Sequence, residues 1–96
     1  MEKKVLNYGT IIITLRFQRA NIKWNCGEDL YVRDVSLGDL YDFCQMCNSR
    51  AGDPDPDLST HVFDRNLQHF FTIYYRDVRV ISKNCSEIFD AIQPFR

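Results

Sequence analysis

Ser36-Leu37-Gly38-Asp39-Leu40-Tyr41-Asp42-Phe43-Cys44-Gln45-Met46-Cys47 is the stretch on which the fold turns. Leu37, Leu40, Tyr41, Cys44 and Cys47 recur at offsets of 3, 4, 7 and 10 and so form one apolar stripe at the helical period. Ser36 has the side chain of a helix N-cap, and Asp39 three residues on is the short-acid form of a capping box. Asp39 and Asp42 lie near the positive end of the predicted helix and Arg50 near its negative end, where each charge is favourable. Gly52 suits a left-handed cap, and Pro54 and Pro56 forbid continuation.

On the N-terminal side, Val5 to Phe17 alternates. Tyr8, Ile11, Ile13, Leu15 and Phe17 share one face, with Ile12, Thr14 and Arg16 on the other. Period two over β-branched residues predicts a strand, and apolar residues on both faces place it centrally. Gln18 to Asn21 reads as a four-residue connection and Ile22 to Trp24 as a short returning strand. After a turn at Gly27-Glu28-Asp29, Leu30 to Val35 alternates again and completes a meander.

On the C-terminal side, residues 51–58 read as an acidic, Pro-rich loop, and Ser59 to Leu67 fits either a short helix or an extended loop. His69 to Tyr75 reads as a strand, with Val78 to Ser82 as its hairpin partner across Arg76-Asp77. Asn84 is placed to cap a last helix with Glu87 at the box position. Ile88, Phe89, Ile92 and Phe95 form its stripe, which Pro94 closes. The order β-β-β-α-loop-β-β-α segregates helices from strands. It predicts an α+β domain: a small antiparallel sheet of about five strands with two helices packed on one face.

The 96 residues suffice for one domain, 1–96, with a thin core. At 45% hydrophobic, 14% aromatic and 26% charged, the composition excludes collagen-like, low-complexity and wholly disordered classes. Thr10-Ile11-Ile12-Ile13-Thr14-Leu15 is too short and too interrupted for a signal peptide or a membrane span. The expectation is a cytoplasmic or otherwise intracellular protein that is not secreted and not in a membrane, with reduced thiols or a metal site.

The net charge of −1 conceals a division: residues 1–27 carry +4, residues 28–64 carry −7 and residues 65–96 carry +2. An acidic middle lies between basic ends, which bears on partners more than the total does.

Cys44-Gln45-Met46-Cys47 has the C-x-x-C spacing of zinc sites and thiol oxidoreductases. With Cys26 and Cys85 it makes a four-thiolate set, for which His61 and His69 are alternates. Both Cys44 and Cys47 lie on the apolar stripe of a helix, however, and buried free cysteine is a common core residue. No metal or cofactor is expected; zinc on Cys26, Cys44, Cys47 and Cys85 is the alternative. His61 and His69 are the candidate general bases, but no nucleophile elbow, phosphate loop or H-E-x-x-H motif accompanies them, and no enzyme is expected.

Asp53, Asp55 and Asp57 alternate with prolines, outside the spacing of a calcium loop, and form a stiff acidic segment with little entropy to lose on binding. Arg16, Arg19 and Lys23 with Trp24 make one basic and aromatic patch. Arg76, Arg79 and Lys83 beside Tyr74 and Tyr75 make another. A pI near 6.0 weighs against nucleic acid as the main partner.

The expected function is a small intracellular protein-binding or inhibitor module that occupies a partner's basic surface. Asp53, Asp55, Asp57, Trp24, Tyr74 and Arg76 are its contact residues. Small host-targeting proteins of viruses and phages have a similar profile, which is analogy rather than derivation. A zinc-stabilised nucleic-acid-binding module is the alternative. A homodimer through the strand His69 to Tyr75, apolar on both faces, is a further expectation.

Overall fold

The computed structural model describes residues 2–26, 29–51, 59–64 and 69–96; at 26, 29, 59–64 and 69–76 the description is of the backbone. Four strands run in simple meander order as one antiparallel sheet: β1 (Lys4–Asn7), β2 (Ile11–Arg16), β3 (Arg19–Cys26) and β4 (Asp29–Ser36). Helix α1 (Leu37–Arg50) follows, then a separate two-stranded hairpin of β5 (Ser59–Asp64) and β6 (His69–Tyr74). Helices α2 (Tyr75–Lys83) and α3 (Cys85–Ile92) and a 3-10 turn (Gln93–Phe95) complete the chain. The class is α+β as expected, with one more strand and one more helix than the sequence reading placed.

The stretch Val5 to Phe17 is two strands rather than one. Asn7 Oδ1 accepts from the Gly9 N–H at 2.9 Å and Gly9 adopts φ +84°, so a short polar side chain and a glycine together reverse the chain. Tyr8 N–H then donates to Ile11 O at 2.8 Å and the turn is closed. The next connection is also tighter than expected. Arg16 pairs with Arg19 across the two residues Phe17 and Gln18, and β3 begins three residues earlier than predicted and extends to Cys26. Gln18 holds φ +62° without being glycine, and its N–H donates to Phe95 O at 2.7 Å, which ties the turn to the end of the chain.

Alternation decides which face of the sheet is covered. Leu6, Ile11, Ile13, Leu15, Ala20, Ile22, Trp24 and Val35 are all buried on one face, and the residues between them are exposed or half-buried. The helices lie on the buried face. α1 packs against both α2 and α3 and touches β3 and β4. Its Ser36 cap forms as predicted, with Ser36 Oγ accepting from the Asp39 N–H at 3.1 Å. Replacing Ser36 by alanine is expected to lower stability by about 1 kcal/mol with no change of fold, read as a shifted urea midpoint at constant slope. The buried stripe is Leu37, Leu40, Phe43, Cys44 and Cys47, with Tyr41 45% exposed, so the stripe is rotated from the predicted one.

The segment Val78 to Ser82 is helical, not a strand. Asp77, Val78, Ile81 and Cys85 are buried at three- and four-residue spacing, whereas a strand would have buried alternate residues. Its β-branched residues suit either period, and packing against α1 decides for the helix. Asn84 does not cap α3 with its side chain. Its Nδ2 donates to Val80 O at 2.7 Å and so closes the end of α2 instead. Ser59 to Asp64, read as either helix or loop, is a strand paired with β6 from Ser59↔Tyr74 to Asp64↔His69.

Candidate functional site

Three polar contacts fasten the sheet to the C-terminal helices. Thr10 Oγ1 donates to Asp77 Oδ1 at 2.6 Å, Tyr8 OH donates to Glu87 Oε1, and Gln18 N–H reaches Phe95 O. Asp77 is 1% exposed in the first turn of α2, where the helix dipole favours a carboxylate. Burial, followed by the hydrogen bond and charge of Glu87, pushes the Tyr8 hydroxyl well above the ordinary tyrosine range. These groups have structural work: they orient helices on a sheet.

The three described thiols are core groups. Cys44, Cys47 and Cys85 are free and buried, and Cys85 Sγ donates to Ile81 O at 3.2 Å. Burial pushes all three above the ordinary thiol range, with the mutual proximity of Cys44 and Cys85 adding to the effect at Cys44. Nucleophilic attack needs the thiolate, which this environment disfavours. Among the described residues no group of three or more His, Cys, Asp and Glu side chains is placed to hold a metal ion. The fourth thiol of the alternative zinc set, Cys26, has its side chain outside the description. His61 and His69 fall on β5 and β6, where the backbone alone is described.

Trp24 corrects the predicted contact set. It is 1% exposed and makes an edge-to-face contact with Phe43 of α1, ring centroids 5.3 Å apart and planes at 84°. Lys23 and Trp24 are neighbours in a strand and so point to opposite faces. The basic patch of Arg16, Arg19 and Lys23 is exposed, but its aromatic member has gone into the core. Asp53, Asp55 and Asp57 lie outside the described residues. Tyr74 closes β6 and Arg76 is the second residue of α2; their side chains are outside the description too.

The face of the sheet turned away from the helices is the surface that the sequence reading did not single out. Val5 (50% exposed), Val32 (41%) and Leu30 (64%) stand on it, with Phe17 (66%) at its end in the β2–β3 turn. The register sets two rows across it: Val5, Thr14, Asn21 and Asp34; and Asn7, Ile12, Lys23 and Val32. Arg19 pairs with Asp34 at 3.4 Å on this surface, with both side chains more than half exposed, a bond worth at most about 1 kcal/mol. A depression of about 410 Å³ opens beside that pair and is lined by Thr14, Arg16, Phe17, Asn21 and Asp34 among others. Part of the signal was available in the sequence. Once Ile11, Ile13 and Leu15 are assigned to the core, Ile12 must face the other way, whereas Val5 and Val32 follow only from the register of β1 and β4.

No helix among the described residues is long and apolar enough to cross a membrane. No family model, curated protein or solved structure matches the chain.

Proposed function

We propose that this protein is a protein-binding module that works by occupying a partner's surface, with the uncovered face of its sheet as the docking platform. The observation that carries this reading is the exposure of Val5, Leu30, Val32 and Phe17 on and beside one face from which the helices are absent. Val5 on β1 and Leu30 and Val32 on β4 flank Ile12, Thr14, Asn21 and Lys23, with Arg16 and Arg19 toward the Phe17 end, a mixed apolar and polar surface of the composition that partners cover. A partner covering Val5, Leu30, Val32 and Phe17 recovers the burial energy that the isolated chain forgoes.

The acidic segment with Asp53, Asp55 and Asp57, together with Tyr74 and Arg76, supplies the second part of the proposal. Pro-spaced carboxylates favour a partner with a basic surface and speed encounter with it. Inhibition of such a partner, by competition for the surface that it offers to phosphate, follows from the same chemistry. The intracellular setting belongs to this reading, as does the analogy with the accessory proteins of viruses and phages.

Affinity capture from the cells in which the protein is made tests the platform. Val5→Ser with Phe17→Ser is expected to leave the fold unchanged and to reduce recovery of the wild-type partner at least tenfold. Reversal of Asp53, Asp55 and Asp57 to lysine is expected to reduce it in a salt-dependent way. Equal recovery by the wild type and by both variants would overturn the reading.

A further inference from the structure

The outer edge of β4 goes beyond that reading. Asn25 N–H bonds Thr10 O at 2.9 Å toward β2, so the alternate residues Ile22 and Trp24 direct their backbone groups to β4, where they face Arg33 and Tyr31. It follows that Leu30, Val32 and Asp34 direct their backbone groups away from the sheet. The two side-chain donors found there agree. Arg33 Nη1 donates to Val32 O at 2.9 Å, and Arg19 Nη2 approaches Asp34 O at 3.4 Å. Among the described residues no strand pairs with this side of β4, because the sheet ends there and β5 and β6 form a sheet of their own.

The two edges of the sheet differ. β1 is four residues long and opens on Lys4, preceded by Lys3, the short and charged form that resists strand addition. β4 is eight residues long and sets Leu30 and Val32, 64% and 41% exposed, at its outward-bonding positions. A long edge with apolar side chains is a template for another strand.

We infer that the occupant of this edge is a second copy of the chain, joined antiparallel about a twofold axis with Tyr31 opposite the partner's Tyr31. This register places Leu30 opposite the partner's Val32, and Val32 opposite the partner's Leu30, at the hydrogen-bonded positions. It also brings Arg33 opposite the partner's Asp29 twice over. Registers shifted toward the C-terminal end of β4 are poorer. Shifting the axis to Val32 sets Leu30 opposite Asp34, and shifting it to Arg33 sets two guanidinium groups face to face. The β4 sequence Asp29-Leu30-Tyr31-Val32-Arg33 is thus complementary to its own reverse in both charge and hydropathy. On pairing, the partner's Leu30 N–H takes the place of Arg33 at Val32 O, and the guanidinium turns to the partner's Asp29. The product is a continuous eight-stranded sheet whose uncovered face carries two copies of the proposed platform.

Light scattering on the full chain over a concentration series tests the pairing. The molar mass is expected to rise from 11.4 kDa toward twice that value. Arg33→Asp sets like charges opposite each other and is expected to weaken association about tenfold or more. Asp29→Arg combined with Arg33→Asp restores the complement and is expected to recover association to within about threefold of the wild type. Leu30→Lys alters an exposed side chain and is expected to weaken association without the fold changing in circular dichroism, which keeps the test open where Arg33→Asp perturbs the monomer. A mass of 11.4 kDa up to about 1 mM chain overturns the inference. So does an association indifferent to these variants, or one that the double variant fails to restore. The inference shares Leu30 and Val32 with the proposed function, and the outcomes separate the two. Partner capture retained by a strictly monomeric chain removes only the self-pairing, whereas a dimer whose partner recovery ignores Val5→Ser with Phe17→Ser removes only the platform.

Discussion

Trp24→Ala is expected to lower the stability of the fold by about 3–5 kcal/mol, the cost of deleting a fully buried large aromatic and leaving its cavity. A domain of this size has on the order of 5–15 kcal/mol in total, so the variant gives up a large share of its stability. The physical reason is the position of the ring. Trp24 is 1% exposed in β3 and meets Phe43 edge-on, so the indole joins the sheet to α1. Trp24→Phe keeps most of the buried area and is expected to cost less than half as much. Urea titration followed by circular dichroism measures both. A Trp24→Ala protein of near wild-type stability that has nevertheless lost partner capture would restore Trp24 as a contact residue and move it out of the core.

Raising the pH above about 9 is expected to destabilise the protein through its buried thiols. Burial raises the ionisation of Cys44 and Cys47 far above that of a free thiol, whose value of 9.0 represents the unfolded chain. Below that value both states hold the thiol proton and the contribution to stability is complete. Above it the unfolded chain gives up protons that the folded chain retains, and each thiol removes about 1.4 kcal/mol per pH unit until the folded value is reached. Cys85 and the Tyr8 hydroxyl act in the same direction. Denaturant titrations at pH 7.5, 9 and 10.5 on the wild type and on Cys44→Ala with Cys47→Ala isolate the effect. The double variant is expected to start less stable and to lose less on going alkaline. Parallel losses in the two proteins would show that these thiols are accessible to solvent in the folded state.

Much of the architecture follows from local rules that the tertiary structure leaves in force. Ser36 caps α1 because its hydroxyl meets the Asp39 N–H whatever the helix later packs against. Ile11, Ile13 and Leu15 share a face because a strand has period two. Other features depend on information that local rules do not carry. Val78 to Ser82 satisfies both strand and helix periods, and only the proximity of α1 chooses between them. Asn84 has the right chemistry for an N-cap, yet its amide bonds Val80 O and makes no side-chain cap to α3. The turn at Asn7 and Gly9 was legible as an Asn-x-Gly signal that the apolar alternation on either side overrode. The candidate surface was legible only in part: parity turns Ile12 away from the core, but Val5 joins it only because the turn at Gly9 breaks the alternation and sets a new register.

The three polar fastenings between the sheet and the C-terminal helices join residues far apart in sequence: Tyr8 to Glu87, Thr10 to Asp77 and Gln18 to Phe95. During synthesis α1 follows the sheet directly and can cover β3 and β4, but Tyr8, Thr10 and Gln18 gain their partners only when residues 77–95 have been made. Until then the part of the apolar face that α1 does not reach stays uncovered. Non-local closure of this kind slows folding and prolongs exposure of the nascent sheet. A chain that ends before Asp77 thus leaves the hydroxyls of Tyr8 and Thr10 without the carboxylates that hold the helices to the sheet.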